Sequence, residues 1–150
     1  MGSHTRGSLL TWVLSGARRS LGDPTVSPVR AHVANMGIEE ADVDPERFLS
    51  DVEMRIGEIV TAAPFPAARK DLYRLEVDFG TETRQSAAGL TEHYEPADLE
   101  GRQVVAVVNL GTVTVAGFES ECLVTGVDDG AGGVVHLQPE REVPNGQRVY

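Results

Sequence analysis

Side chains able to do covalent or metal chemistry are few and scattered in this 150-residue chain. There is one cysteine, Cys122, and there are four histidines, His4, His32, His93 and His136. A single cysteine excludes an internal disulfide and any multi-cysteine zinc site, and the histidine spacing offers no metal pair. Cys122 stands in the apolar run Cys122-Leu123-Val124, the setting of a core thiol rather than of an activated nucleophile. Gly130-Ala131-Gly132-Gly133 follows two aspartates and opens no helix, so it reads as a hairpin turn and not as a phosphate loop. His93 beside Tyr94 either stacks on a base or sits exposed in a loop. No nucleophile elbow and no His-Glu-x-x-His is present. The expectation is a non-enzymatic protein with no metal and no cofactor.

Charge narrows the partners. Thirteen basic and twenty-three acidic residues give a net −10, and the two ends differ. Residues 1–35 carry Arg6, Arg18, Arg19 and Arg30 against Asp23, a net +3, which leaves −13 on residues 36–150. So acidic a body suits high salt, the setting of a halophile, and disfavours simple electrostatic capture of nucleic acid at low salt. Residues 1–35 lack any sustained period and are rich in Ser, Gly, Arg and Pro, so they read as a flexible or mis-started extension. Leu9 to Leu14 is too short for a secretory core, and no run is long enough to span a membrane, so a cytoplasmic location without membrane insertion is expected.

Past Met36 the pattern becomes regular. Residues 36–51 read as a helical lead-in, with Asp44 as N-cap, Pro45 at the first helical position and Glu46 in the first turn. Val52, Met54 and Ile56 alternate as a strand, and Gly57, where the phase changes, reads as a bulge or bend. Tyr73, Leu75, Val77 and Phe79 alternate with Arg74, Glu76 and Asp78, a strand with one wet face. Gly80-Thr81 turns the chain into Glu82–Ala88. A helical turn at residues 94–99 precedes a buried strand, Val104–Val108, and a last main strand at Glu119–Gly126. Five strands with a helix between the third and fourth suggest an all-β, small closed antiparallel barrel with short flanking helices, over residues 52–150.

The residue pattern also resembles a known family. Met54-Arg55-Ile56-Gly57-Glu58-Ile59-Val60 with Phe65-Pro66-Ala67-Ala68-Arg69-Lys70 looks like the opening of tRNA-binding domains. Leu75–Gly80, Thr83–Leu90, Tyr94-x-Pro96-x-x-Leu99-x-Gly101-Arg102 with the strand to Asn109, and Ala116-Gly117-Phe118-x-Ser120-Glu121 resemble its later motifs in order. Within the family the resemblance is to small stand-alone CsaA-type members. The resemblance implies a five-stranded oligonucleotide-binding (OB) barrel, a homodimer, and tRNA as partner, with unfolded preprotein segments held as an export chaperone the alternative. It places Arg84, Gln85, Ser86 and Asn109 near a binding groove and Ser120 and Glu121 in the family's Ser-Glu pair on the last barrel strand; with Arg74, one of the basic residues kept in the barrel, these are the candidate binding residues, and Arg84 is read as an outward strand arginine. An arginine there could hold phosphate or stack on a base, and Gln85 and Asn109 could hydrogen-bond base edges, sugars or a peptide backbone. The competing reading gives these side chains to turns and barrel backbone, with Glu121 paired to an arginine. One departure weakens phosphate contacts: residues 110–115 carry no charge, where the family usually has basic residues.

The charge split leads to a first prediction. A chain starting at Met36 is expected to melt at the same temperature as the full chain, checked by circular dichroism. A loss of more than a few degrees would make residues 1–35 part of the fold.

Overall fold

The computed structural model describes residues 38–150; the proposed 1–35 extension lies outside the described residues. Helix α1 (Pro45–Asp51) starts as its sequence requires: Asp44 caps it, its carboxylate accepting from the Glu46 amide at 3.0 Å, and Pro45 occupies the first turn. It buries no side chain of its own. Strands β1 (Met54–Pro64), β2 (Tyr73–Asp78), β3 (Thr83–Ala88), β4 (Gln103–Val107) and β7 (Leu123–Val124) form one antiparallel sheet in the order β3-β2-β1-β4-β7. Helix α2 (Pro96–Leu99) connects β3 to β4 and drives the fully buried Leu99 into the core. This is the expected OB-like barrel, all-β with two short helices among the described residues.

β1 organises the barrel because it serves two neighbours. Residues Met54 to Glu58 pair with β4, and Glu58 to Pro64 pair with β2. Gly57 lies at the bend without a side chain because a Cβ there would sit 2.5 Å from Val77 Cγ1 and 2.7 Å from Phe79 Cε1. Phe79 packs directly over the backbone at this point. The irregularity in pairing falls further along, between Ile59 and Thr61, so the bulge expected at Gly57 belongs to Val60. The turn after α2 continues the β4 side of β1 up to the bulge: Ile59 N–H donates to Arg102 O at 2.9 Å, and Ile59 O accepts from Gly101 N–H at 2.8 Å.

The barrel closes by a seam between β3 and residues 120–122. Glu121 N–H donates to Gln85 O at 2.8 Å, and the Glu121 carboxylate accepts from Gln85 N–H at 3.0 Å. One step along, Ala87 N–H donates to Ser120 Oγ at 3.1 Å and Ser86 Oγ donates to Cys122 O at 2.9 Å. The interior holds Ile59, Leu75, Val77, Phe79, Leu90, Leu99, Val104, Ala106 and Cys122.

The expected last strand, Glu119–Gly126, is divided. Its residues fall into β6 (Phe118–Ser120), β7 and β8 (Gly126–Asp128). The seam is the reason, since residues 121–122 leave the β5–β6 pairing to close the barrel, while Ser120 stays paired with Val113 and reaches the seam with its side chain. The uncharged run forms an unforeseen strand, β5 (Val113–Val115), joined to β6 by Ala116 and Gly117, both at positive φ, the geometry of a type I′ hairpin turn. β8 and β9 (Val134–His136) form the hairpin expected around residues 129–133. The C-terminal residues strap the free edge of early β1: Ile56 N–H donates to Gln147 O and Val149 N–H to Met54 O, both at 2.9 Å. Among the described residues no helix is long and apolar enough to cross a membrane.

The seam generates a second prediction. Ser120→Ala removes the acceptor of a buried amide, a loss of about 1–3 kcal/mol. The melting temperature should fall by about 4–8 °C for each kcal/mol lost, as measured by calorimetry. An unchanged melting temperature would show that the seam contributes nothing.

Candidate functional site

The seven side chains expected at the groove separate into three groups. Ser86 and Ser120 are fully buried, and with Glu121 they make the seam bonds described above. Both hydroxyls pair barrel backbone, which sets Ser86 and Ser120 among the groups that close the barrel. Gln85 is half-buried at the same seam, its Nε2 donating to Glu119 O at 2.8 Å. Asn109 is a clamp: its Oδ1 accepts from Glu53 N–H at 2.9 Å and its Nδ2 donates to Asp51 O at 3.0 Å, fixing the end of α1 to the end of β4.

Arg84 does not point outward. It pairs across the sheet with Val77, which is fully buried, and shares its face with Ser86 and Ala88. It is the last inward residue of β3, so its guanidinium spans the open end of the barrel. There it donates to Val108 O at 2.7 Å and is ion-paired with Glu82. Arg55 holds the matching position on β1, opposite the buried Ala106, and is bound to Glu53 at 2.6 Å while Nη1 donates to Gly146 O at 3.1 Å. Both arginines line one open groove of about 440 Å³, floored by Phe79 and Val108. Two guanidiniums and two carboxylates leave this mouth electrically balanced. It is neither a positive groove nor an apolar cleft.

Sequence reasoning missed Arg55. A signal was available: Glu53-Met54-Arg55 and Glu82-Thr83-Arg84 have the same Glu-x-Arg spacing. Residues two apart on a strand share a face, so each glutamate meets its own arginine.

Arg74 lies on the other side of the sheet. It is exposed on β2, between Ala63 of β1 and Ala87 of β3, with its guanidinium 5.5 Å from the centre of the Phe65 ring. Phe65 is buried and meets Phe118 edge-on at 5.4 Å. Arg74 has no carboxylate partner among the described residues.

The reactive-looking groups are committed elsewhere. Burial pushes the Cys122 thiol up to about 12, so it stays protonated at neutral pH. His93 Nε2 lies 2.6 Å from Asp129 Oδ2 rather than serving as a stacking platform. Asp129 is held at about 2, chiefly by the Ala131 amide, then by His93 and the Gly133 amide. Burial lowers the pKa of His136, which packs on Tyr94. No group of metal-binding side chains occurs among the described residues.

Comparisons with known proteins agree with this barrel. Residues 54–148 match the model of the family described as "Putative tRNA binding domain". The chain is 32% identical over 112 residues to the methionine–tRNA ligase of Methanocaldococcus jannaschii, covering 75% of this chain and 17% of that one. It is 40% identical over 102 residues to that of Methanococcoides burtonii, covering 67% and 15%. It thus spans only about a sixth of those enzymes' length. Among solved structures, the chaperone CsaA from Bacillus anthracis str. Ames is 45% identical with a TM-score of 0.68, covering 73% of this chain and 100% of that one. A methionyl-tRNA-synthetase-related protein from Pyrococcus horikoshii is 29% identical with a TM-score of 0.64, covering 73% and 100%.

A third prediction concerns the mouth. Arg84→Ala strips the charged donor from Val108 O and the partner from Glu82, both at a partly exposed site. Stability should fall by about 1 kcal/mol in urea titration, where an outward arginine would cost close to nothing. An unchanged unfolding midpoint would remove Arg84 from the barrel's structural set.

Proposed function

The chain belongs to the tRNA-binding domain family, and from that premise we propose that it is a non-enzymatic tRNA-binding protein. The observation that carries this reading is the family match over residues 54–148, which takes in the whole barrel and nearly all of its C-terminal strap. The chemistry supports it: the thiol is buried and protonated, and His93 and His136 are occupied by protein partners. An OB-like barrel offers instead a rigid outer sheet and an open end, which recognise a folded RNA by shape and backbone. Of the expected residues, Arg74 is the one both exposed and without a carboxylate. Gln85, Arg84, Asn109 and Glu121 act from the rim, and Ser86 and Ser120 act only by holding the barrel closed.

A second reading rests on the likeness to the Bacillus anthracis chaperone over that chain's full length. Phe48 and Leu49 on α1, and Val127, Val135 and Leu137 near the β8–β9 hairpin, expose apolar side chains. We propose that these faces pack in a homodimer, and that any apolar surface left open holds extended preprotein segments. The −13 body fits a cytoplasm of high salt.

Fluorescence anisotropy with total tRNA, with an unstructured RNA of equal length and with an unfolded polypeptide separates the two readings. Tight binding of tRNA over unstructured RNA is expected, and light scattering should give twice the chain mass. Binding of the polypeptide without binding of tRNA, from low to molar salt, would leave the chaperone reading in its place.

A further inference from the structure

Accounting for the cations of the described residues singles out one surface. Nine basic residues lie between residues 38 and 150. Arg47, Arg55, Arg84 and Arg141 each sit against a carboxylate. Arg102 donates to Asp98 O, and Arg148 donates to Leu49 O and Val52 O. Arg69, Lys70 and Arg74 remain. All three are exposed, none has a carboxylate or carbonyl partner among the described residues, and they occupy the β1–β2 connection and the start of β2. In a body of net −13, three unneutralised charges in so short a stretch are not an average piece of surface. Asp71, also exposed, leaves the stretch at net +2.

The fold arranges this stretch for contact. The Phe65 ring holds the Arg74 guanidinium in place without neutralising it, and Phe118 braces that ring. On the outer face of the sheet Arg74 is flanked by Ala63, half-buried, and Ala87, fully buried, and is itself exposed. The next row across the same face is Thr61, Glu76 and Gln85, and Glu58, Asp78 and Thr83 follow. The face is therefore graded, basic at the Phe65 end and acidic at the other. A polyanion is admitted at one end and repelled from the rest.

We infer that Arg69, Lys70 and Arg74 form the phosphate-contacting face of this protein, on the outer sheet beside Phe65 and not at the barrel mouth with Arg84. The ligand chemistry is the sugar–phosphate backbone of RNA, which a guanidinium fork held on Phe65 grips in two places beside two exposed cations. Glu76, with Glu58 and Asp78 behind it, limits how far the backbone runs along the sheet. This inference rests on the tRNA-binding reading.

The test is a salt series of tRNA dissociation constants for the full chain. The triple variant Arg69→Gln, Lys70→Gln, Arg74→Gln should bind at least about tenfold more weakly, and the slope of log affinity against log salt should flatten by about 2–3. Glu76→Gln should strengthen binding, and Arg141→Gln, which removes an exposed cation elsewhere, should leave affinity and slope unchanged. Unaltered melting temperatures for these exposed changes keep the comparison clean. If the parent binds and the triple variant matches its affinity and slope, the phosphate face is wrong while tRNA binding stands. If the parent binds no tRNA at any salt, the tRNA reading falls and the phosphate face falls with it.

Discussion

The barrel depends on the seam between β3 and residues 120–122. Four backbone ladders join the five strands of the sheet, but the contact that closes the barrel is completed by side chains. Ser86, Ser120 and Glu121 supply the acceptors and donors that a regular strand pair would take from backbone. These groups are buried or half-buried, where an unpaired amide or hydroxyl is costly and a satisfied network fixes a single arrangement. The serines and the glutamate are conspicuous in the sequence because they are polar among apolar neighbours. That prominence comes from closure.

β1 is the second constraint, because each stretch of its backbone has been given a partner. Its first half is shared between β4 and the C-terminal strap, and its second half goes to β2. Between them, just before the Val60 bulge, Ile59 bonds to the turn that follows α2. Gly57 lets Phe79 lie against the bend, so the strand can turn from one neighbour to the other while the core stays filled. The same economy explains why the chain continues past β9: without residues 146–149, the early edge of β1 would be an open strand edge.

Electrostatics then divides arginines that look alike in the sequence. Arg55 and Arg84 lie at inward positions at the barrel's open end, each with a glutamate two residues earlier on the same face. Such pairs hold the mouth in shape and leave little net charge to offer a ligand. Arg74 lies on the opposite face with an aromatic partner, and keeps its full charge in a defined place. A surface with so few cations has little total charge to offer a polyanion, so the positions of the unpaired cations count for more than their number.

Much of the fold was legible in the residues. Strict alternation through Tyr73–Phe79 marked β2 and its buried face, the Asp44-Pro45-Glu46 signal marked α1, and Leu99 in a short helical turn marked the helix between β3 and β4. The order of motifs pointed to the barrel, and Cys122 within an apolar strand pointed to the core. The candidate site was legible only as a set of residue types. Period-two patterning assigns faces relative to neighbours along one strand, but it does not say which strand comes to lie across from another. Opposing strands put Arg84 over Val77 and inside, put Ser120 against Ala87, and moved the bulge from Gly57 to Val60. They also split the last strand, since residues 121–122 had to leave the β5–β6 pairing to meet β3. Composition and local pattern by themselves determined a small acidic β-barrel. Only the tertiary structure decided which polar side chains close that barrel and which stay free to bind, because the difference lies in contacts between residues some twenty to sixty positions apart.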